Sequence, residues 1–77
     1  MSIVAQCQEI CAEILDVDAD DCVEEADFVE DLGADSLDMV EIAMRLEVDL
    51  GIEVSELETE RLSTFGDLIV LVERKAA

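Results

Sequence analysis

The sequence predicts an all-α fold: a small bundle of three longer helices plus one short helix, with a long loop between the first and second helices. Three observations predict it. Apolar residues recur three and four positions apart in separate segments, which is the spacing of one helix face. Helix-start signals stand at Asp35, Ser55 and Thr64. Between the first two segments lies an irregular stretch that is too acidic for a regular helix. At 77 residues, 52% hydrophobic and 34% charged, the chain is expected to be one globular domain over residues 1–77. That is too small for a large buried active-site cleft.

The first segment runs from about Ser2 to Leu15. Ile3, Val4, Cys7, Ile10, Cys11, Ile14 and Leu15 form a wide apolar stripe, with Gln6, Glu9 and Glu13 on the other side. From Asp16 to Asp31, nine of 16 residues are Asp or Glu. Val23, Phe28, Val29 and Leu32 are the expected anchors of this loop in the core. Gly33 can supply a turn with positive φ, and Asp35 is a good N-cap with Asp38 three residues on. A helix then runs to about Leu50, where Gly51 stops it. Met39, Ile42, Ala43, Leu46 and Leu50 form one apolar stripe of this helix, and Leu37, Val40, Met44 and Val48 form a second. A surface helix needs only one stripe, so the second either packs centrally or faces a partner. Ser55 and Glu58 read as a capping box opening a short helix to about Leu62. Thr64 to Asp67 is another cap signal ahead of a final helix through Leu68–Val72, with Arg74 and Lys75 where cations oppose the helix dipole.

Charge narrows the function classes. Asp and Glu number 22 against four Lys and Arg, a formal net charge of −18. Such a surface is repelled by nucleic acid and anionic lipid, and it suits partners with basic patches. The sequence has no His, so the usual near-neutral general base is missing. No apolar run approaches the roughly 20 residues that span a bilayer. No basic segment precedes an apolar stretch at the N-terminus, so a cytoplasmic monomer without membrane insertion is expected. The odd count of three cysteines argues against a disulfide framework. Cys7, Cys11 and Cys22 are expected to act as small hydrophobes.

Ser36 is the candidate site residue. It stands at a helix start after Gly33, with Asp35 and Asp38 beside it. From position alone it is an ordinary helix-start serine. As a hydrolase nucleophile it lacks a base, and the neighbouring carboxylates oppose an oxyanion. If it reacts, another protein must activate it.

The run Asp31-Leu32-Gly33-Ala34-Asp35-Ser36-Leu37-Asp38 resembles the attachment motif of acyl carrier proteins. Phe28-Val29-Glu30-Asp31 before it, and Val40-Glu41 and Met44 after it, extend the resemblance over nearly the whole chain. The resemblance implies that a phosphopantetheinyl transferase moves 4′-phosphopantetheine from coenzyme A onto Ser36, with Asp35, Leu37 and Asp38 flanking the site. Acyl groups would then ride on the prosthetic thiol as thioesters between the loading, elongating and transferring enzymes of fatty-acid or related lipid or polyketide synthesis. Docking roles fall by the same resemblance on Asp35, Leu37, Asp38, Val40, Glu41, Met44 and Glu47. Two positions depart from the family pattern: Val48 replaces an acidic residue, and Arg45 puts a cation on the acidic face, within reach of Glu41 or Asp49. Both point toward a specialised carrier. Aliphatic helices poor in aromatics can also part to admit an acyl chain, each methylene being worth about 0.8 kcal/mol.

Two other readings compete. A peptidyl or aminoacyl carrier shares the serine attachment logic. Residues 16–27 imitate an EF-hand loop, but Asp21 replaces the turn glycine and Asp27 the bidentate glutamate. That leaves weak divalent binding at Asp16, Asp18, Asp20, Asp21 and Glu24.

Overall fold

The computed structural model describes residues 2–76. Helix α1 spans Ile3–Leu15, α2 Ser36–Leu50, α3 Glu56–Glu60 and α4 Phe65–Ala76, with one 3-10 turn at Ala19–Asp21. Helix α1 packs against α2 and α4, and α3 lies against α2. The bundle is the predicted one.

The caps explain most boundaries. The Ser2 side chain accepts a hydrogen bond from the Ala5 N–H at 3.1 Å, and Asp16, at φ 56°, ends α1 in the left-handed region. Helix α2 ends on Gly51, whose φ of 67° suits a residue without Cβ. The Ser55–Glu58 box opens α3. That helix stops at Glu60, short of the expected Leu62. The Arg61 and Leu62 N–H groups bond three residues back, to the Glu58 and Thr59 carbonyls, which tightens the last turn. Helix α4 begins at Phe65, earlier than its apolar run suggests. There the Thr64 hydroxyl accepts from the Asp67 N–H, while the Asp67 carboxylate accepts from the Ser63 and Thr64 N–H groups.

The core joins Cys7, Ile10 and Cys11 of α1 to Ile42 and Leu46 of α2 and to Phe65, Leu68, Leu71 and Val72 of α4. The long loop is ordered, but its anchors are not all those expected. Phe28 and Leu32 are buried, whereas Val23 and Val29 face solvent; Cys22, Ala26 and Ala34 take the inner positions instead. The reason is the loop's attachment to the start of α4. Phe28 N–H donates to the Ser63 carbonyl, Phe65 N–H to Ala26 and Gly66 N–H to Glu24, at 2.9, 2.9 and 3.0 Å. This pairing, centred on an isolated bridge between Asp27 and Thr64, turns Ala26 and Phe28 inward and Val29 outward.

Candidate functional site

The site is built at the N-terminus of α2. The loop approaches through a turn that Asp27 caps: its carboxylate accepts from the Val29 and Glu30 N–H groups at 3.0 and 2.9 Å. The Ala34 N–H then donates to the Phe28 carbonyl at 2.7 Å. Gly33 takes φ 70° between them, a conformation that a side chain would strain. Buried Phe28, Leu32 and Ala34 thus hold the turn from below, and Ser36, exposed, is the first residue of α2.

The first four N–H groups of a helix lack intrahelical partners. Here Asp35 accepts from the Asp38 N–H at 2.8 Å, and Asp38 accepts from the Asp35 N–H at 3.1 Å. The reciprocal box consumes two of the four donors. The amides of Ser36 and Leu37 remain, beside the Ser36 hydroxyl. A phosphodiester at that oxygen gains from those amides and the helix dipole, and the two carboxylates offset part of the gain.

Beyond the cap, α2 has the two apolar faces the sequence shows. Ile42 and Leu46 are buried, and Met39, Ala43 and Leu50 pack partly against them. Leu37, Val40, Met44 and Val48 are 65%, 46%, 60% and 81% exposed. The second stripe is therefore outward-facing and takes no share in the core. Glu41 and Glu47 flank it, both exposed. The Glu47 carboxylate accepts from the Val54 N–H at 3.4 Å, pinning the segment after α2. Arg45 pairs with Asp49 at 3.2 Å and, across the helix interface, with Glu13 at 3.1 Å. The Glu13 contact was beyond sequence reasoning, because nothing local links α1 to that turn of α2.

Comparison with known proteins shows the family. A family model described as phosphopantetheine attachment site matches residues 6–72. An acyl carrier protein of Wolinella succinogenes is 44% identical over 73 residues, covering 95% of this chain and 96% of its own. The chain belongs to the acyl carrier protein family. Other carriers agree: one from Thermotoga maritima is 40% identical, covering 95% of this chain and 90% of its own. The solved structure of an acyl carrier protein from Enterococcus faecalis superposes with a TM-score of 0.78 at 25% identity, covering 94% of this chain and 91% of that one. The protein is accordingly an acyl carrier, not an enzyme, and its prosthetic group is a covalent 4′-phosphopantetheine. The peptidyl-carrier and calcium-binding readings are not needed.

The carrier's remaining sequence candidates lie elsewhere. Cys7, Cys11 and Cys22 are free thiols with no measurable exposure. Burial pushes the Cys7 thiol up to about 11 and raises Cys11 and Cys22 as well. Among the described residues, no three Cys, Asp or Glu side chains are grouped to hold a metal ion. In the acidic loop, the Asp16 backbone forms the C-cap of α1 and the Asp27 carboxylate caps its own turn. No described helix is long and apolar enough to cross a membrane.

Proposed function

We propose that the Ser36 hydroxyl is the point at which phosphopantetheine is attached, and that the outward face of α2 is where this carrier meets its enzymes. The observation that carries the reading is an exposed serine at the first position of α2, with two amide donors left beside it. In the loading step the Ser36 oxygen forms a bond to the pantetheine-side phosphorus of coenzyme A. The pyrophosphate linkage breaks, adenosine bisphosphate leaves with the bonding pair, and the serine proton passes to a base on the transferase. Once attached, the group supplies a terminal thiol that holds acyl chains as thioesters.

Residues of this chain do the rest by presentation. Gly33 and the Phe28–Ala34 turn hold Ser36 at the surface. Leu37, Val40 and Met44 offer apolar contact. Asp35, Asp38, Glu41 and Glu47 draw in basic patches, which raises the rate of encounter more than the affinity. That suits a carrier which must leave each enzyme after each step. The partners are a phosphopantetheinyl transferase and the acyl-loading, elongating and transferring enzymes of fatty-acid synthesis, met in the cytoplasm by a monomeric, single-domain carrier.

The test is intact-protein mass spectrometry after incubation with coenzyme A, magnesium and a broad-specificity transferase. The wild-type chain gains the mass of one phosphopantetheine and Ser36→Ala gains none. An equal gain by the variant would remove Ser36 from the reading.

A further inference from the structure

Val48 is more exposed than any other large apolar side chain among the described residues, at 81%. At about 100° per residue it projects between Glu41 and Met44, so it continues the strip of Leu37 and Met44 by one further turn. The charges around it are arranged unevenly. Residues 35–41 carry three carboxylates and no cation, whereas residues 42–50 carry Arg45 against Glu47 and Asp49. In that second half the charges are engaged within the chain: Glu47 with the Val54 amide, Asp49 with Arg45, and Arg45 also with Glu13. The outward face of α2 thus carries three carboxylates and no cation beside Ser36, whereas at its far end exposed Val48 stands among carboxylates shared with Arg45 and the Val54 amide.

We infer that Val48 is a specificity-determining residue, selecting enzymes whose docking patch is cationic opposite Asp35, Asp38 and Glu41 but apolar opposite the last turns of α2. A cation placed there would be desolvated against Val48 and would compete with the Val54 amide and Arg45 for the Glu47 and Asp49 carboxylates. A second copy of the chain is a poor occupant, because each copy brings a charge of −18. The inference rests on the proposed docking face.

The test uses acyl-loaded holo carrier and a ketosynthase in two forms: one with a docking patch basic throughout, and one with leucine in place of the cation that faces the end of α2. Wild type prefers the leucine form in kcat/KM by about tenfold, the effect of burying one valine rather than stranding it. Val48→Glu reverses the preference, and Val48→Thr, which keeps the branched shape, reduces it. Met44→Ala lowers kcat/KM with both forms. An unchanged ratio for Val48→Glu, with Met44→Ala still impaired, overturns the inference and leaves the docking face standing. If neither variant changes kcat/KM with either form, the docking face falls too. A wild-type dimer on size exclusion that Val48→Glu dissociates gives the strip to a second copy and also overturns the inference.

Discussion

Replacing Gly66 by alanine sets two effects of opposite sign against each other. Gly66 lies in the first turn of α4, where Gly→Ala ordinarily favours a helix by up to about 1 kcal/mol. A Cβ at this position, however, would sit 2.7 Å from the Glu24 Cγ and 2.8 Å from the Glu24 carbonyl oxygen. The side-chain carbon can swing away. The carbonyl cannot, because it accepts the Gly66 N–H at 3.0 Å as part of the pairing that fastens the long loop to α4. Moving the loop strains or breaks that hydrogen bond, worth about 1 kcal/mol, and overpacking adds about 1–3 kcal/mol. The steric cost wins, leaving a net destabilisation of about 1–3 kcal/mol. For a domain of this size each kcal/mol lowers Tm by about 4–8 °C. Thermal melting followed by far-UV circular dichroism should show the drop. A Tm equal to or above that of wild type would refute the claim that close contact at Glu24 fixes the loop.

Three further outcomes are expected. Hydrogen bonding to Lys75, then to the Ser55 amide, lowers the Glu58 carboxyl from 4.5 to about 2. A depressed folded value means that its stabilisation is complete above about pH 4.5 and is lost as pH falls toward 2. The Tm difference between wild type and Glu58→Gln should therefore be present at pH 7 and vanish through that window; a constant difference contradicts it. Raising sodium chloride from about 10 mM to about 100 mM shortens the screening length from about 30 Å to about 10 Å, so self-repulsion of the −18 charge should weaken and Tm rise. In the apo carrier, a thiol reagent should find no reactive cysteine until denaturant is added and three afterwards; rapid native labelling would contradict the buried positions of Cys7, Cys11 and Cys22.

The parts of this molecule that follow local rules were legible in the sequence. Asp35, Ser55 and Gly51 mark helix ends by chemistry that acts within four residues, and the two stripes of α2 follow from helical geometry alone. Ser36 stands out as the proposed attachment point only because a long run of residues around it resembles a family motif, since a serine at a helix start says little by itself. What was not legible depends on residues distant in sequence. Val23 and Val29 read as anchors because they are apolar, but pairing with Ser63 and Thr64 sets which loop side chains point inward. Small Ala26 and Ala34 gave no signal, yet they are buried. Gly66 read as part of a cap, while its importance lies in the close approach of Glu24. Glu13 reaches Arg45 only because α1 crosses α2.

The buried thiols bear on fidelity of cargo. A thioester yields readily to any nearby thiolate, so a protein that displays its freight on a sulfur arm risks passing it to its own cysteines. With the Cys7 group held near 11, about one molecule in ten thousand has that sulfur ionised at neutral pH, and none of the three thiols reaches the surface. The freight stays on the arm because every competing sulfur in the body is both protonated and out of reach.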